Sequence, residues 1–221
     1  MNQLLAASHT GSWSPPVVNG EVHISNRKIR VLFAQTLFYL NITFLNVSSN
    51  LITWLPEIPT LVTLICNDCR LTELPVCLPS LTTLQCKNNF ISVLPKLPLV
   101  TFVDCSDNCI TRLLAANIPR LQRLICNNNP LTSINIQTLT SLEAYDCPLT
   151  VIHKIPSLSR RSSVVIDGSL KQLIANKEKI NTDLVVINWR TGYFSDEVTE
   201  VLKKYRLFKF VIGAAPGQKV N

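Results

Sequence analysis

The sequence is poor in the residues on which several kinds of function depend. It has six glycines in 221 residues, too few and too dispersed to form a phosphate-binding loop. Its three histidines, His9, His23 and His153, are scattered along the chain. None has a serine or cysteine partner at the spacing of a nucleophilic catalytic motif. The sequence therefore predicts a protein that is not an enzyme and that needs no cofactor.

Long apolar runs are also missing, although 47% of the residues are hydrophobic. The longest run, residues 31–45, is interrupted by polar side chains and falls short of the ~20 residues of a membrane-spanning helix. The first residues have neither the basic region nor the apolar stretch of a secretory signal peptide. We therefore expect no membrane span and a location in a reducing cytoplasm, which could be that of a host cell.

Charge is scarce and unevenly distributed. Charged residues make up 16% of the chain, so we expect a packed core and no global disorder. The net charge is +7, yet the residues through Ile152 contain nine basic and eight acidic side chains. The remaining residues contain twelve basic and six acidic ones, so the basicity belongs to the C-terminal third.

A repeat of about twenty residues occupies the middle of the chain. Its anchor positions are residues 45, 64, 84, 103, 124 and 145, which are 19 to 21 residues apart. In the copy Leu84-Gln85-Cys86-Lys87-Asn88-Asn89, a Cys follows the anchor by two residues and an Asn comes three residues later. A period of about 20–29 residues with this pattern is the signature of a leucine-rich repeat. We expect Asn89 and its equivalents to form a ladder of turn asparagines, with Cys69 as one weaker rung.

Most cysteines follow the repeat. Five of the eight occupy one repeat position, where Val47 stands in the first copy: Cys66, Cys86, Cys105, Cys126 and Cys147. A Cys that alternates with Val behaves as a small hydrophobic residue, so we predict reduced, buried thiols and no metal site. The sequons Asn41-Ile42-Thr43 and Asn46-Val47-Ser48 favour a secreted protein instead, but the second lies in a predicted strand.

The repeat unit L-x-x-L-x-C-x-x-N-x-L-x-x-L-P-x-L-P resembles the short leucine-rich repeats of bacterial type III effectors. It is also similar to Cys-containing repeats of large DNA viruses and amoebae. The resemblance covers about residues 42–156 and implies an α/β-type leucine-rich-repeat solenoid with a parallel β-sheet on its concave face. The family uses that face to bind proteins. Prolines in segments such as Leu94-Pro95-Lys96-Leu97-Pro98 predict extended convex limbs, because proline fixes φ and cannot continue a helix.

We divide the chain into three parts. Residues 1–20 are predicted to form an irregular N-terminal arm. Residues 21–156 are predicted to form the solenoid, in which Val22-His23-Ile24-Ser25-Asn26 is an N-terminal capping repeat 23 residues before Leu45. Residues 157–221 are predicted to form a basic C-terminal α/β cap or degenerate repeats, with a strand at residues 164–166, helices at residues 169–179 and 195–206, and a further strand at residues 207–212.

The outward positions of the predicted strands form the first candidate site. Four of these positions carry Phe or Ile, and apolar groups ringed by polar ones mark protein contact sites. The alternative is a surface with tolerated hydrophobic residues and no partner. The predicted partner-binding residues are Phe44, Asn46, Thr63, Ile65, Asn67, Gln85, Lys87, Phe102, Asp104, Arg123, Ile125 and Asn127.

A basic patch is the second candidate site. It comprises Lys203, Lys204, Arg206 and Lys209, with Tyr205, Phe208 and Phe210 interleaved. Such a mixture can contact nucleic acid or phosphate. The favoured interpretation is a helix end whose cations complement the helix dipole. The sequence thus predicts a scaffold for an unidentified protein partner, with a structural role in a larger assembly such as a virus particle, or a nucleic-acid contact, as alternatives.

Overall fold

The structure, a computed structural model, describes residues 17–32, 41–144, 146–149, 151–152 and 163–166. The strands are short, most of them three residues long. They are β1 (Val17–Val18), β2 (Glu21–His23), β3 (Phe44–Asn46), β4 (Thr63–Ile65), β5 (Thr83–Gln85), β6 (Phe102–Asp104), β7 (Arg123–Ile125), β8 (Ser133–Ile134), β9 (Ser141–Ala144), β10 (Val151–Ile152) and β11 (Ser163–Ile166).

One sheet runs the length of the described solenoid. Its strand order is β1-β2-β3-β4-β5-β6-β7-β9-β11, and every pairing from β2 onward is parallel. Each strand therefore belongs to one repeat and pairs with the strand of the next repeat. This arrangement confirms the predicted leucine-rich-repeat solenoid with its parallel sheet on the concave face.

The N-terminal end of the sheet is a hairpin. Strands β1 and β2 pair antiparallel, and the two residues between them, Asn19 and Gly20, both have positive φ, at 53° and 78°. A two-residue hairpin turn of this kind requires positive φ at both positions, which Asn and Gly tolerate. β1 lies inside the range predicted as an irregular arm, residues 1–20, so the last residues of that range are regular. Val22 pairs with Leu45, as expected for a capping repeat.

The strands contribute two inward-facing columns of side chains to the core. The anchor residues Leu45, Leu64, Leu84, Val103 and Leu124 are buried, and the residues two positions later are Val47, Cys66, Cys86, Cys105 and Cys126, all fully buried. The alternation of buried and half-buried residues along each strand follows from the two-residue period of a β-strand. The prediction that these cysteines pack like Val47 in the core is confirmed.

A ladder of asparagines closes each turn after the strand. The Asn89 amide nitrogen donates to the carbonyls of Cys66 and Cys86 at 2.9 and 3.0 Å, and its Oδ1 accepts the amide of Leu71 at 3.0 Å. Asn50, Asn108 and Asn129 make the equivalent bonds. The residue before each rung has positive φ, as at Asn88 (54°) and Asp107 (55°). Asn and Asp tolerate this conformation, which explains their recurrence there.

Two rungs of the ladder are thiols. Cys69 Sγ donates to the carbonyl of Val47 at 3.4 Å, which is a weaker bond than an amide makes. This confirms the predicted weak rung. Cys147 Sγ donates to the carbonyl of Cys126 at 3.2 Å in the same way.

The second thiol rung corrects the predicted register of the last repeat. Leu124 pairs with Leu142 and Ile125 with Glu143, so the anchor of that repeat is Leu142 and not residue 145. Ala144, fully buried, takes the core position that was assigned to Cys147. The repeat is 18 residues long rather than 21, and a shift of three residues moves Cys147 from the core column to the ladder.

The convex limbs are extended, as the prolines predict. Leu94 and Leu97 are buried while the residues between them lie at the surface. Among the described residues, the one helical turn is a 3₁₀ turn at Ala115–Asn117, and β8 and β10 form a small parallel pair that the sequence did not suggest.

The sheet continues past residue 156. β11 pairs with β9 in parallel, with Val164 opposite Leu142, so the strand predicted at residues 164–166 is present and belongs to the solenoid sheet. The helices predicted at residues 169–179 and 195–206 and the strand predicted at residues 207–212 lie outside the described residues.

Candidate functional site: the concave face

The outward side chains of the strands form columns across the sheet. The first column runs Phe44, Thr63, Thr83, Phe102, Arg123, because these residues are register partners on successive strands. The second column runs Asn46, Ile65, Gln85, Asp104, Ile125. The sheet therefore brings the predicted site residues onto one continuous surface, which we call the concave face.

Most of the predicted residues lie at the surface. The members of the two columns are half-buried, except for Arg123, which is exposed, and Asn67 and Lys87 beyond the strand ends are half-buried and exposed, respectively. Asn127 differs from the expectation, because only 5% of it is exposed. It lies past the end of β7, in the turn that the Asn129 side chain closes by donating to the Asn127 carbonyl at 3.1 Å. Very little of the Asn127 surface is therefore accessible to a partner.

Two phenylalanines on this face each pack against a polar neighbour on an adjacent strand. The ring of Phe44 lies 4.7 Å from the ring of His23, which also contacts Glu21 through Nε2 at 3.1 Å. The guanidinium carbon of Arg123 lies 5.1 Å from the centre of the Phe102 ring, a cation–π contact. Both rings are therefore held by neighbours and yet remain partly open to solvent.

The two rings flank a stretch of smaller side chains. Phe44 and Phe102 are three strands apart, which is ~14 Å at the usual strand spacing. Thr63 and Thr83 lie between them in the first column. We call this the threonine trough. Its neighbours in the second column are Ile65 and Gln85, so it borders both an apolar and an amide side chain.

Polar contacts connect side chains along the edge of the concave face where the strands end. The Asn67 side chain accepts the amide of Lys87 at 2.8 Å, and Lys87 Nζ lies 3.6 Å from Asp107. Ser106 Oγ donates to Asp104 at 2.8 Å. Exposed ion pairs contribute little to stability, so these contacts chiefly restrict side-chain orientation.

The predicted site left out residues on the strands that flank it on either side. Glu21 and His23 precede Phe44 and Asn46 in the two columns, and Ser141 and Glu143 follow Arg123 and Ile125. The alternation in Glu21–His23 was a sufficient signal for the first pair. The second pair was missed because the last repeat was anchored three residues too late.

The thiols beneath the face are protected by burial. Burial raises the pKa of Cys66, Cys86 and Cys105 well above the ordinary thiol value. A protonated, buried thiol is a poor nucleophile and a poor metal ligand. Within the described ranges, no cluster of three or more His, Cys, Asp or Glu residues is arranged to bind a metal ion.

Two further predictions concern other parts of the chain. The basic patch, Lys203, Lys204, Arg206 and Lys209, lies outside the described residues. In the part of the chain that the structure covers, no helix has the length and apolarity to cross a bilayer.

The chain shares its fold with solved leucine-rich-repeat structures. The leucine-rich-repeat domain of a Shigella effector aligns with a TM-score of 0.60 and 26% identity, over 77% of this chain and 81% of that one. The leucine-rich-repeat domain of APL1B aligns with a TM-score of 0.50 and 17% identity, over 86% of this chain and 65% of that one.

A third structure, the functional domain of InlJ from Listeria monocytogenes, is described as including a cysteine ladder. It aligns at 19% identity with a TM-score of 0.49, over 76% of this chain and 50% of that one. This chain thus spans about half of the InlJ domain and just under two thirds of the APL1B domain. No protein-family model matches the sequence, and no curated protein matches it.

Proposed function

We propose that this chain, a leucine-rich-repeat protein similar to those of bacterial effectors, is a non-catalytic scaffold that binds another protein through its concave face. The observation that supports this most directly is the pair of half-buried phenylalanines on either side of the threonine trough. Solenoids of this kind present extended surfaces, and their function depends on the residues placed there.

The phenylalanines suit a binding role because they are already ordered. His23 and Arg123 restrict the rings of Phe44 and Phe102 before any partner arrives. Ordering a side chain on binding costs about 0.5–1.5 kcal/mol, so rings held in advance reduce that cost. Aromatic residues that fill or border a partner pocket carry a large share of interface energy.

The trough defines what the partner must supply. Thr63 and Thr83 are smaller than the rings on either side of them, and Ile65 beside them favours an apolar side chain from the partner. The polar contacts around Lys87, Asp104 and Asp107 form a rim of the kind that surrounds protein interfaces. We propose a partner that inserts an apolar side chain between Phe44 and Phe102.

A substitution at Phe102 tests the proposal. Phe102→Ala should weaken binding of a partner captured from the source cell by at least about fivefold, which is ~1 kcal/mol, because one wall of the trough is lost. The free energy of unfolding should change little, since the ring lies outside the core. Isothermal titration of the captured partner and urea unfolding measure the two quantities.

Phe90→Ala is the matched control. Phe90 is 59% exposed and follows the ladder residue Asn89, away from the concave columns, so its removal should leave binding unchanged. Lys204→Glu should also have little effect on this partner. If Phe102→Ala is harmless and Lys204→Glu disrupts binding, the functional surface is the basic C-terminal segment instead. If Phe102→Ala unfolds the protein, the assignment of inward and outward residues is wrong.

Size-exclusion chromatography separates the scaffold from a role in an assembly. A free scaffold should elute as a discrete soluble species without its partner. A component of a larger assembly should associate with further copies of itself at all accessible concentrations.

A further inference from the structure

One pair of thiols in the described solenoid differs from all the others. Cys147 is a rung of the ladder and Cys126 is the core residue of the preceding repeat, and Cys147 Sγ lies 3.2 Å from the Cys126 carbonyl oxygen. The other thiol rung, Cys69, contacts the carbonyl of Val47 in the same way, but Val47 has no thiol. The register of this repeat therefore places the sulfur of a ladder thiol against the backbone of a cysteine in the core column.

The ladder position also surrounds Cys147 with hydrogen-bond donors. Where the rung is an asparagine, its Oδ1 accepts a backbone amide from the preceding repeat. The Ile91 amide donates to Asn108 and the Ile110 amide donates to Asn129, and each donor lies two residues after the asparagine rung of its own repeat. Leu131 is the corresponding residue for Cys147, and the backbone amides of Asn129 and Leu131 favour the ionised form of this thiol and so lower its pKa. A thiolate at this point accepts the bonds that an Asn oxygen accepts elsewhere.

The two sulfurs consequently differ in acidity. Contact with the Cys126 side chain lowers the pKa of Cys147 below its ordinary value, even though burial opposes this. The same contact, followed by burial, raises the pKa of Cys126 well above its ordinary value. At Cys69, burial dominates and raises the pKa. Cys147 ionises first, with a protonated thiol beside it, which is the arrangement of an oxidisable cysteine and its resolving partner.

We propose that Cys147 is a peroxide-sensitive thiol that forms a disulfide with Cys126 and links the repeat that contains β9 to the repeat that contains β7. The oxidant is hydrogen peroxide, and Cys147 is the less buried of the two thiols, since 2% of it is exposed against 0% of Cys126. Disulfide formation closes a loop that carries β9, and with it Ser141 and Glu143, which follow Arg123 and Ile125 on the concave face.

The chemistry balances in two steps. The Cys147 thiolate attacks one peroxide oxygen, so an S–O bond forms, the O–O bond breaks, and the leaving hydroxide takes a proton to become water. Cys126 then loses its proton and its sulfur attacks Cys147, so the S–S bond forms and the S–O bond breaks, releasing a second water. Two thiols are oxidised, and one peroxide is reduced to two waters.

Tryptic cleavage isolates the two cysteines in a single peptide, in which their oxidation can be measured. No Lys or Arg lies between Arg123 and Lys154, so trypsin releases Cys126 and Cys147 together in the peptide 124–154, which contains no other cysteine. The peptide 31–70 likewise contains only Cys66 and Cys69, the equivalent core and ladder thiols of a single repeat. It serves as an internal control for general oxidation.

The full native chain would be treated with hydrogen peroxide, unfolded in the presence of an alkylating reagent, digested with trypsin and analysed by mass spectrometry. The peptide 124–154 should lose two hydrogen atoms and escape alkylation, at least about tenfold faster than the peptide 31–70. The melting temperature should rise by about 5–10 °C, as expected for closing a loop of this length.

Two variants complete the test. In Cys126→Ser, whose hydroxyl can keep the polar contact with Cys147 but cannot form a disulfide, Cys147 should accumulate as the sulfenic acid and be trapped by dimedone. Cys147→Asn, which restores an asparagine rung, should abolish both the disulfide and the peroxide-dependent rise in melting temperature. The proposal is overturned if the exposed thiols Cys77 and Cys109 are oxidised while 124–154 stays fully reduced. It is also overturned if the two peptides oxidise at the same rate, or if the pair reacts only in denaturant.

Discussion

The inner and outer sides of the same strands follow different chemical rules. Inward positions repeat almost without change, since Leu or Val anchors each strand and Val, Cys or Ala follows two residues later. Outward positions change from one strand to the next, from Phe44 to Thr63, Thr83, Phe102 and Arg123 in the first column. The core tolerates few shapes because it is close-packed, whereas the concave face is limited only by what it binds.

The turns show the same contrast on a smaller scale. Four rungs are asparagines that each bond carbonyls on two successive repeats, and two rungs are thiols with weaker contacts. Hydrogen bonding between successive repeats is therefore stronger at the asparagine rungs than at the thiol rungs. The following predictions test how far the regular side and the variable side differ, beginning with the largest expected effect.

Alkaline pH should destabilise the protein through its buried thiols. Cys66, Cys86 and Cys105 keep their protons when folded, because burial raises the pKa of each thiol well above its ordinary value. Unfolded thiols ionise above about pH 8.5, so the unfolded state then binds fewer protons and stability falls as the pH rises further. Below that pH the stability is fully present. We expect a loss of about 1–2 kcal/mol per thiol between pH 8 and pH 10, measured by urea unfolding.

Removing an asparagine rung should have the next largest effect. Asn89→Ala should lower the free energy of unfolding by about 1–3 kcal/mol, because buried carbonyls of Cys66 and Cys86 and the amide of Leu71 lose their partner. Thermal and urea unfolding measure the change. Gln122→Ala, at an exposed position on the surface, is the control for loss of an amide side chain. An unchanged midpoint for Asn89→Ala would contradict the ladder.

Replacing a thiol rung by asparagine should strengthen the hydrogen bonding between two repeats and so stabilise the protein. Cys69→Asn should raise the free energy of unfolding by about 0.5–1.5 kcal/mol, since the new oxygen can accept the Ile52 amide and the new amide can donate to Val47. Chemical unfolding measures the gain. Cys69→Ser, which cannot reach both groups, is the control. A loss of stability in Cys69→Asn would mean that the space around position 69 suits only sulfur.

Substituting a core thiol should have the smallest effect. Cys86→Val should change the free energy of unfolding at pH 7 by about 1 kcal/mol or less, because Val47 already fills the equivalent position. The same variant should reduce the alkaline loss of stability by the share of one thiol. In the native protein, a thiol reagent should label Cys77 and Cys109 but not Cys86. Rapid labelling of Cys86 would place it outside the core.

Most of the repeat architecture could be predicted, since a local period implies a stacked neighbour. The strand anchors from Leu45 to Leu124 and the capping residue Val22 are register partners as expected. The last repeat could not be placed by period alone. Its anchor, Leu142, comes 18 residues after Leu124, and Cys147 resembled the core cysteines until the pairing of Glu143 with Ile125 showed otherwise.

The candidate site was predictable in position and not in detail. Alternation places Phe44 and Phe102 outward, and both are half-buried on that face. The contacts that hold their rings, from His23 and Arg123, depend on the lateral register of neighbouring strands. The burial of Asn127 depends on the turn that Asn129 closes.

The sequence by itself determined the period, the inward and outward sides of the strands from β3 to β7, and the chemistry of the turns. These features are local, because strand alternation and the tolerance of Asn for turn geometry operate over a few residues. The tertiary structure alone decided which repeats meet and with what offset. That offset places Cys147 beside Cys126 and places Thr63 and Thr83 between the two phenylalanine rings. It also sets the anchor of one repeat at Leu142, three residues before the predicted position. Contacts between residues about twenty positions apart arise only when the strands stack, so the pattern of a single repeat cannot specify them.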